Sequence, residues 1–231
     1  MKKRKVSKIA SLAISLGMIG TLGWSGASKA CAHGYVSDPI SRSYQGYLLA
    51  NNGGNWQDLY NKYGEAVNEP QSIEAPKGFP EEGPADGYIA SGGRELFHPL
   101  DVQTSNTWTH QHLNAGTNLF KWTLTKAHNS ERWHYYITKK GWDPNKPLVR
   151  SELEKIASFK GKESDTHSTT VIHSIKIPTD RSGYNVILAI WDIGDTPNAF
   201  YQVIDVDINN TKVNHSVPSV VSLSTSSHSL L

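Results

Sequence analysis

The sequence contains ten histidines, and His33 has the position best suited to metal chemistry. It follows Ala30-Cys31-Ala32, whose small residues at −3 and −1 are typical of a signal-peptidase site. Cleavage there makes His33 the first residue, so that its α-amino group, with a reference pKa of about 7.7, and its imidazole can bind one metal ion together. A further imidazole completes a planar set of three nitrogens, which suits Cu(II). The alternative is that cleavage merely exposes a histidine that binds no metal.

The partner imidazole must come from the nine other histidines. His128 lies in a loop predicted between two strands, where a side chain can reach a shared surface. His110 and His112 would face the same way in a strand, but their polar flanks favour ordinary surface residues. His134 and His173 fall within predicted strands, where packing or a hydrogen bond is the expected role. Residue types and spacing alone leave this choice open.

The first 32 residues have the pattern of a secretory signal peptide. A basic start without acidic residues is followed by an apolar stretch from Ile9 to Trp24. That stretch is short for a membrane span and ends in small and polar residues, so we expect cleavage between Ala32 and His33 rather than a retained anchor. The sequence therefore predicts a secreted, extracellular protein without a membrane partner.

Cleavage changes the charge of the chain. The signal peptide holds six of the 23 Lys and Arg residues, which leaves 17 against 21 Asp and Glu and a formal charge of −4. No basic stripe remains, so nucleic-acid binding is excluded. The single cysteine, Cys31, leaves with the signal peptide, and with it any disulfide or thiolate metal site. Removing 32 of 231 residues leaves 199, which predicts one compact domain, expected as a monomer.

The second half of the mature chain is rich in predicted strands. Short segments of alternating or continuous apolar, β-branched and aromatic residues are separated by turn signals, without long helical periodicity between them. The predicted strands are Thr117–Thr125, Arg132–Thr138, Val171–Ile177, Tyr184–Trp191 and Phe200–Ile208. This pattern predicts an all-β fold, an antiparallel β-sandwich, over residues 33–209.

Two segments differ from this pattern. The stretch from Tyr44 to Leu100 is rich in Gly, Pro and Asn and contains one predicted short helix, Trp56–Tyr63. A long insertion of this kind between early strands is usually functional. The Ser-rich tail, residues 210–231, is low in charge and is expected to be disordered.

Several runs of residues are specific enough to indicate a family. They are His33–Arg42, Glu69–Pro80, Gly83–Gly87, Trp133–Lys139, Gly141–Pro144, Ile177–Gly183, Trp191–Thr196 and Asn198–Gln202. Together they resemble the bacterial lytic polysaccharide monooxygenases of auxiliary activity family 10, the chitin-binding protein type. The resemblance extends in order from His33 to Asn209.

The resemblance implies an immunoglobulin-like or fibronectin III-like sandwich whose flat face carries one copper ion. It implies that His33, through amine and ring, and His128 bind the copper. Phe200 matches the aromatic residue at an axial position, although from the sequence alone it is a core residue. Glu74 matches an acid that helps to position the oxygen co-substrate, although a lone loop Glu is usually solvated. Trp191 matches a buried aromatic residue beneath the site.

The activity implied by the resemblance is oxidative cleavage of β-1,4 bonds in crystalline chitin, with oxidation at C1 and cellulose as the second choice. It requires an external electron donor and O₂ or H₂O₂. The polymer would contact the flat face at Glu69, Pro70, Gln71, Asp195 and Thr196. Hydrolysis is disfavoured because no pair of carboxylates flanking a sugar has independent support.

The sequence departs from the family pattern at two positions near the site. Asn68 stands where chitin-active members usually have an exposed Tyr or Trp, which removes a stacking surface. Lys126 stands two residues before His128, where a small Ala is typical. Two rival functions stay open: a chitin-binding or glycan-binding adhesin without turnover, and a copper carrier that uses the same nitrogens.

Overall fold

The computed structural model describes residues 32–210, so the predicted signal peptide up to residue 31 and the tail from residue 211 lie outside the described residues. Strands make up most of this part of the chain. They are β1 His33–Asp38, β2 Glu74–Pro76, β3 Gln111–Asn114, β4 Gly116–Lys126, β5 Ser130–Thr138, β6 Leu153–Lys160, β7 Thr170–Ile177, β8 Gly183–Ile193 and β9 Asn198–Asn209. Two helices, α1 Arg42–Asn51 and α2 Trp56–Tyr63, follow β1. Short 3₁₀ turns cover Gly64–Val67, Glu95–Asp101, Arg150–Glu152 and Glu163–His167.

The strands form two sheets that pack as a sandwich, which confirms the predicted fold class. The smaller sheet has the order β1-β4-β7, and the larger has the order β2-β9-β8-β5-β6. All of these pairs are antiparallel, whereas β3 pairs in parallel with β9. The five predicted strands lie within β4, β5, β7, β8 and β9, and α2 has the predicted bounds.

Strand β8 separates two hydrophobic cores, which explains its continuous apolar sequence. Trp191 and Ile187 face the core between the sheets, whereas Leu188 and Ile190 face a second core under the helical insertion. A strand buried on both faces has no polar side, so its residues do not alternate. In the first core Trp191 stacks on Trp133 with ring centroids 5.0 Å apart.

The insertion after β1 contains a helix that the sequence did not predict. Helix α1 begins after Ser41, whose hydroxyl accepts from the backbone N–H of Tyr44 at 3.4 Å. Gly46 lies inside it, and a Cβ there would come within 2.6 Å of Tyr63 Cγ. The close approach of α1 to Tyr63 thus requires a glycine at this position. Glycine has a low helix propensity, so the sequence did not predict the helix.

A buried histidine in β7 is expected to make stability depend on pH. Tyr135 accepts from Trp122 Nε1 at 2.9 Å, so its hydroxyl donates to His173 Nδ1 at 2.8 Å. Burial lowers the pKa of His173 to about 4; the charge of Asp165 partly opposes this shift, and that of Lys162 adds to it. The unfolded chain takes up this proton near the ordinary pKa of about 6.5, so the free energy of unfolding falls as the pH drops from about 6.5 to 4.

This loss is expected to be about 3 kcal/mol at pH 4 relative to pH 7. Urea unfolding of the protein and of His173→Gln at both pH values measures it, because the amide keeps an acceptor for Tyr135 but has no proton to gain. The variant should lose less stability than the parent between the two pH values. Equal losses in both proteins would show that other groups cause the acid sensitivity.

Candidate metal centre

A β-bulge in β4 lies opposite the start of β1, where the His33 ring approaches the core between the sheets. His33 pairs with Lys126 and Gly34 pairs with Leu124, so one step along β1 faces two steps along β4. Such a bulge lets consecutive residues face the same side of a sheet. A Cβ on Gly34 would lie 3.2 Å from Trp191, and the His33 ring lies 5.9 Å from the ring of Phe200.

His128 lies at the same end of the sandwich, in the loop between β4 and β5. It follows Lys126, the cross-strand partner of His33, by two residues. Asn129 accepts a backbone hydrogen bond from Gly194 at 2.7 Å, which ties this loop to the turn between β8 and β9. The start of β1, the β4–β5 loop and the β8–β9 turn therefore meet at one end of the fold.

The His128 ring is buried and lies beside a carboxylate. Its side chain is 8% exposed, and Nδ1 lies 2.8 Å from Asp195 Oδ1. The two atoms are not aligned for a hydrogen bond, so this buried nitrogen has no hydrogen-bond partner. Histidines that bind metals commonly direct one ring nitrogen at a carboxylate, which leaves the other for the metal. A buried ring beside a carboxylate fits the metal-ligand role that the family resemblance implies for His128.

Phe200 and Trp191 form an apolar floor beside the His33 ring. Phe200 is 1% exposed, and its ring centroid lies 5.5 Å from that of Trp191. Trp191 Nε1 donates to Ser130 Oγ at 2.8 Å, which fixes the indole next to the first residue of β5. A floor without donor atoms restricts further ligands to the outer side.

Glu74 lies next to this floor because β2 pairs with the start of β9. Its cross-strand partner is Phe200, and one of its carboxylate oxygens accepts from Asn198 Nδ2 at 2.8 Å. The sequence reasoning missed Asn198, although it stands in a quoted family run. Asn198 reaches Glu74 because β2 pairs with β9. This pairing gives no recognisable sequence pattern, because β2 is only three residues long.

The predicted substrate segment at residues 69–71 abuts the start of β1. The Gln71 carbonyl accepts from Gly34 N at 3.4 Å, and Glu69 is exposed. Pro70 differs from the expectation of a substrate contact, because it is buried and its carbonyl accepts from Gln202 Nε2 at 3.0 Å. Its packing fixes the segment on β9 and leaves the neighbouring side chains toward the surface.

The structure also places the other predicted substrate contacts, Asp195 and Thr196, and the two residues that depart from the family pattern, Asn68 and Lys126. Asp195 is exposed and Thr196 is half-buried in the β8–β9 turn, beside the His128 loop. Asn68 is exposed at the end of the 3₁₀ turn, and its Nδ2 donates to Glu65 Oε1 at 2.9 Å. Lys126 is exposed at the end of β4, and its cross-strand partner is His33. Cross-strand partners lie on the same face of a sheet.

Side chains alone do not complete a metal site here. Within residues 32–210, no three His, Cys, Asp or Glu side chains are grouped to hold a metal ion. The histidines inside the strands have other roles, as His134 pairs with Asp192 at 2.8 Å and His173 with Tyr135. His33 and His128 could hold a metal ion together with the α-amino group that cleavage before His33 would provide. Ala32, which is 3% exposed, acylates that amine in the uncleaved chain.

Comparison with known proteins decides the family. Residues 33–206 match the family described as "Lytic polysaccharide mono-oxygenase, cellulose-degrading". The chain belongs to this family. The match begins at His33 and extends to Val206 in β9, so it covers the whole arrangement of strands around the two histidines. The enzyme class implied by the sequence resemblance is therefore confirmed.

Relatives of this monooxygenase support the same conclusion. A lytic chitin monooxygenase of Enterococcus faecalis is 48% identical over 177 residues, which are 77% of this chain and 86% of that protein. GlcNAc-binding protein A of Shewanella oneidensis is 42% identical over 189 residues, or 81% of this chain, but this chain spans 38% of its length. The solved structure of a Bacillus amyloliquefaciens CBM33 protein in complex with Cu(I) has a TM-score of 0.72 and 47% identity, and the match covers 77% of this chain and 100% of that one.

No helix among residues 32–210 of the monooxygenase is long and apolar enough to cross a membrane.

Proposed function

We propose that the mature protein begins at His33, binds one copper ion through His33 and His128, and oxidatively cleaves β-1,4 bonds in crystalline chitin. The observation that carries this is the buried His128 ring, which directs Nδ1 at Asp195 beside the start of β1. The amine and ring of His33 with the His128 ring give three nitrogens, a set that suits Cu(II). The Cu(I) complex of the Bacillus relative supports the choice of metal.

The residues around this site each have a defined task. Bound copper supplies one-electron redox chemistry with an external electron donor and O₂ or H₂O₂. Phe200 closes the inner side, so co-substrates approach from the surface. Asn198 holds the carboxylate of Glu74 in place, where it can position the oxygen co-substrate and exchange a proton with it. Insertion of one oxygen atom at C1 leaves a hydroxylated carbon from which the neighbouring sugar departs.

The polymer is proposed to lie on the surface around the metal site. Glu69, Gln71, Asp195 and Thr196 would contact it, and Pro70 would hold the first two in position. An open surface suits a crystalline chain, which cannot enter a deep pocket. The lytic chitin monooxygenase of Enterococcus faecalis supports chitin as the substrate, and the description of the family supports cellulose as the second choice.

The organisation of the chain is part of the same proposal. Residues 1–32 would direct export and be removed, residues 33–209 would form the copper monooxygenase domain, and residues 210–231 would be a Ser-rich extension. The last strand ends at Asn209, at the proposed domain boundary. The secreted enzyme would act as a monomer on insoluble polysaccharide.

Mass spectrometry of soluble products tests the proposal. Copper-loaded protein that begins at His33 is incubated with β-chitin and, separately, with cellulose, with ascorbate and without it. Oxidised chito-oligosaccharides that require ascorbate are expected, and the position of the oxidised carbon tests C1 directly. If oxidised products come from cellulose alone, the proposed reaction stands and the substrate is cellulose instead of chitin.

The sequence left open a glycan-binding function without turnover; the family match argues against it, and the product analysis tests it directly. That function predicts retention on chitin with and without copper and no oxidised product. A copper carrier predicts copper binding without retention on either polymer. The product analysis and a parallel binding assay therefore separate all three functions.

A further inference from the structure

Helix α2 presents an aromatic surface that the proposed metal site does not use. Trp56, the first residue of the helix, is 48% exposed, an unusual fraction for so large an apolar side chain. Its ring stacks on Tyr60, one helical turn later, with centroids 4.9 Å apart and planes at 23°. One face of the indole is thus covered by Tyr60.

The position of Trp56 is fixed by the structure beneath it. Tyr60 is half-buried and packs against the core under the insertion. Asn55 caps the helix, since its side chain accepts from Asp58 N at 3.1 Å, so the first turn that carries Trp56 is held. An aromatic ring fixed before binding loses little conformational freedom when a ligand stacks on it.

The surroundings of this ring are polar, and Asp58 and Lys62 of the same helix contribute one charge of each sign. Gln57 Nε2 donates to Asn61 Oδ1 at 3.1 Å, so an amide pair runs along the helix beside the Trp56–Tyr60 pair. The sequence from Ser43 to Gln57 contains no charged residue and includes Asn51, Asn52 and Asn55. Amides hydrogen-bond to hydroxyl and acetamido groups, and an aromatic face stacks on the apolar face of a sugar ring. A neutral polysaccharide fits this chemistry, because Asp58 and Lys62 have opposite charges and give the helix no net charge that would select a charged partner.

We propose that Trp56 stacks on a sugar ring of the same polysaccharide that is cleaved at the metal site. The proposal rests on the proposed function and extends the substrate-binding surface onto α2. Asn68, at the usual aromatic position, offers no ring, and it is separated from Trp56 by α2 and the following 3₁₀ turn. Helix α2 would therefore supply the aromatic contact that is missing at Asn68.

Binding of copper-loaded mature protein to β-chitin tests this inference. Trp56→Ala is expected to weaken binding about threefold to tenfold, through loss of one aromatic contact. Trp56→Tyr should restore most of the affinity. Tyr88→Ala is the matched control, because Tyr88 is 47% exposed but packs beside His98 on another segment, and it should bind like the parent. Cu(II) affinity should be the same in all four proteins.

Each other outcome overturns the inference. If Trp56→Ala binds chitin like the parent, or Tyr88→Ala loses as much, α2 is no sugar-binding surface, while oxidised products from the parent still support the proposed function. If Trp56→Ala changes the oligomeric state in sedimentation, the surface joins two copies of the chain instead. A parent that neither binds nor oxidises chitin or cellulose would remove the proposed function and this inference together.

Discussion

Replacing His128 with alanine is expected to lower the Cu(II) affinity of the mature protein by more than about 100-fold. Loss of a group outside the ligand set already costs about 10–100-fold in metal affinity, and loss of a ligand costs more. The adjacent carboxylate of Asp195 suits Cu(II) less well than an imidazole does, so it is a poor replacement for the lost ring. Isothermal titration calorimetry with Cu(II) measures the change, and oxidised products should disappear with it.

The control for this variant is another histidine of the same protein. His112 is exposed in β3 and lies 4.0 Å from Asp207, away from the β4–β5 loop. His112→Ala should bind Cu(II) with the affinity of the parent. If His128→Ala also keeps that affinity, the copper is held elsewhere and the proposed ligand set is wrong.

Retaining Ala32 is expected to have an effect of similar size. A protein that begins at Ala32 has the same side chains, but the nitrogen of His33 is part of a peptide bond and is no longer an amine. One of the three proposed nitrogens is then lost, and Cu(II) affinity should fall by more than about 100-fold.

The comparison needs proteins that begin at Ala32 and at His33, each confirmed by intact-mass measurement. Both should unfold at similar temperatures. The pairing of His33 with Lys126 in β1 does not involve Ala32, and Ala32 adds only a methyl group to the core. Equal Cu(II) affinities would mean that the amine plays no part. Copper binding would then not depend on cleavage before His33.

The strands around the site were predictable because burial repeats along them. Burial alternates along Val171–Ile177, whereas Tyr184–Trp191 is nearly continuously apolar because it is buried on both faces. Phe200–Ile208 was predicted from its alternating sequence, although it too is buried on both faces. Strand β6 was missed because Leu153–Lys160 forms an edge of the large sheet, where one partner and a half-exposed face leave a weak pattern. Helix α1 was missed because it accommodates Gly46 for packing.

The site was predictable only in part. The predicted cleavage site singled out His33, whereas His128 was one of several candidate partners until the family resemblance was considered. Their meeting at one end of the fold follows from the bulged pairing of β1 with β4, which sets His33 opposite Lys126. That bulge is a relation between two strands and leaves no mark in either sequence. The burial of Pro70 and the contact of Asn198 with Glu74 also depend on pairing with β9. Phe200 required the family resemblance, because a floor residue and a core residue look alike in sequence.

The ligand set itself is the central claim, and electron paramagnetic resonance of the Cu(II)-loaded protein tests it most directly. For protein that begins at His33, the account predicts a single copper species coupled to three nitrogens, with a different spectrum and fewer nitrogens when Ala32 is retained or His128 is replaced. Identical spectra from all three proteins would contradict it, since copper would then be bound without the His33 amine and the His128 ring.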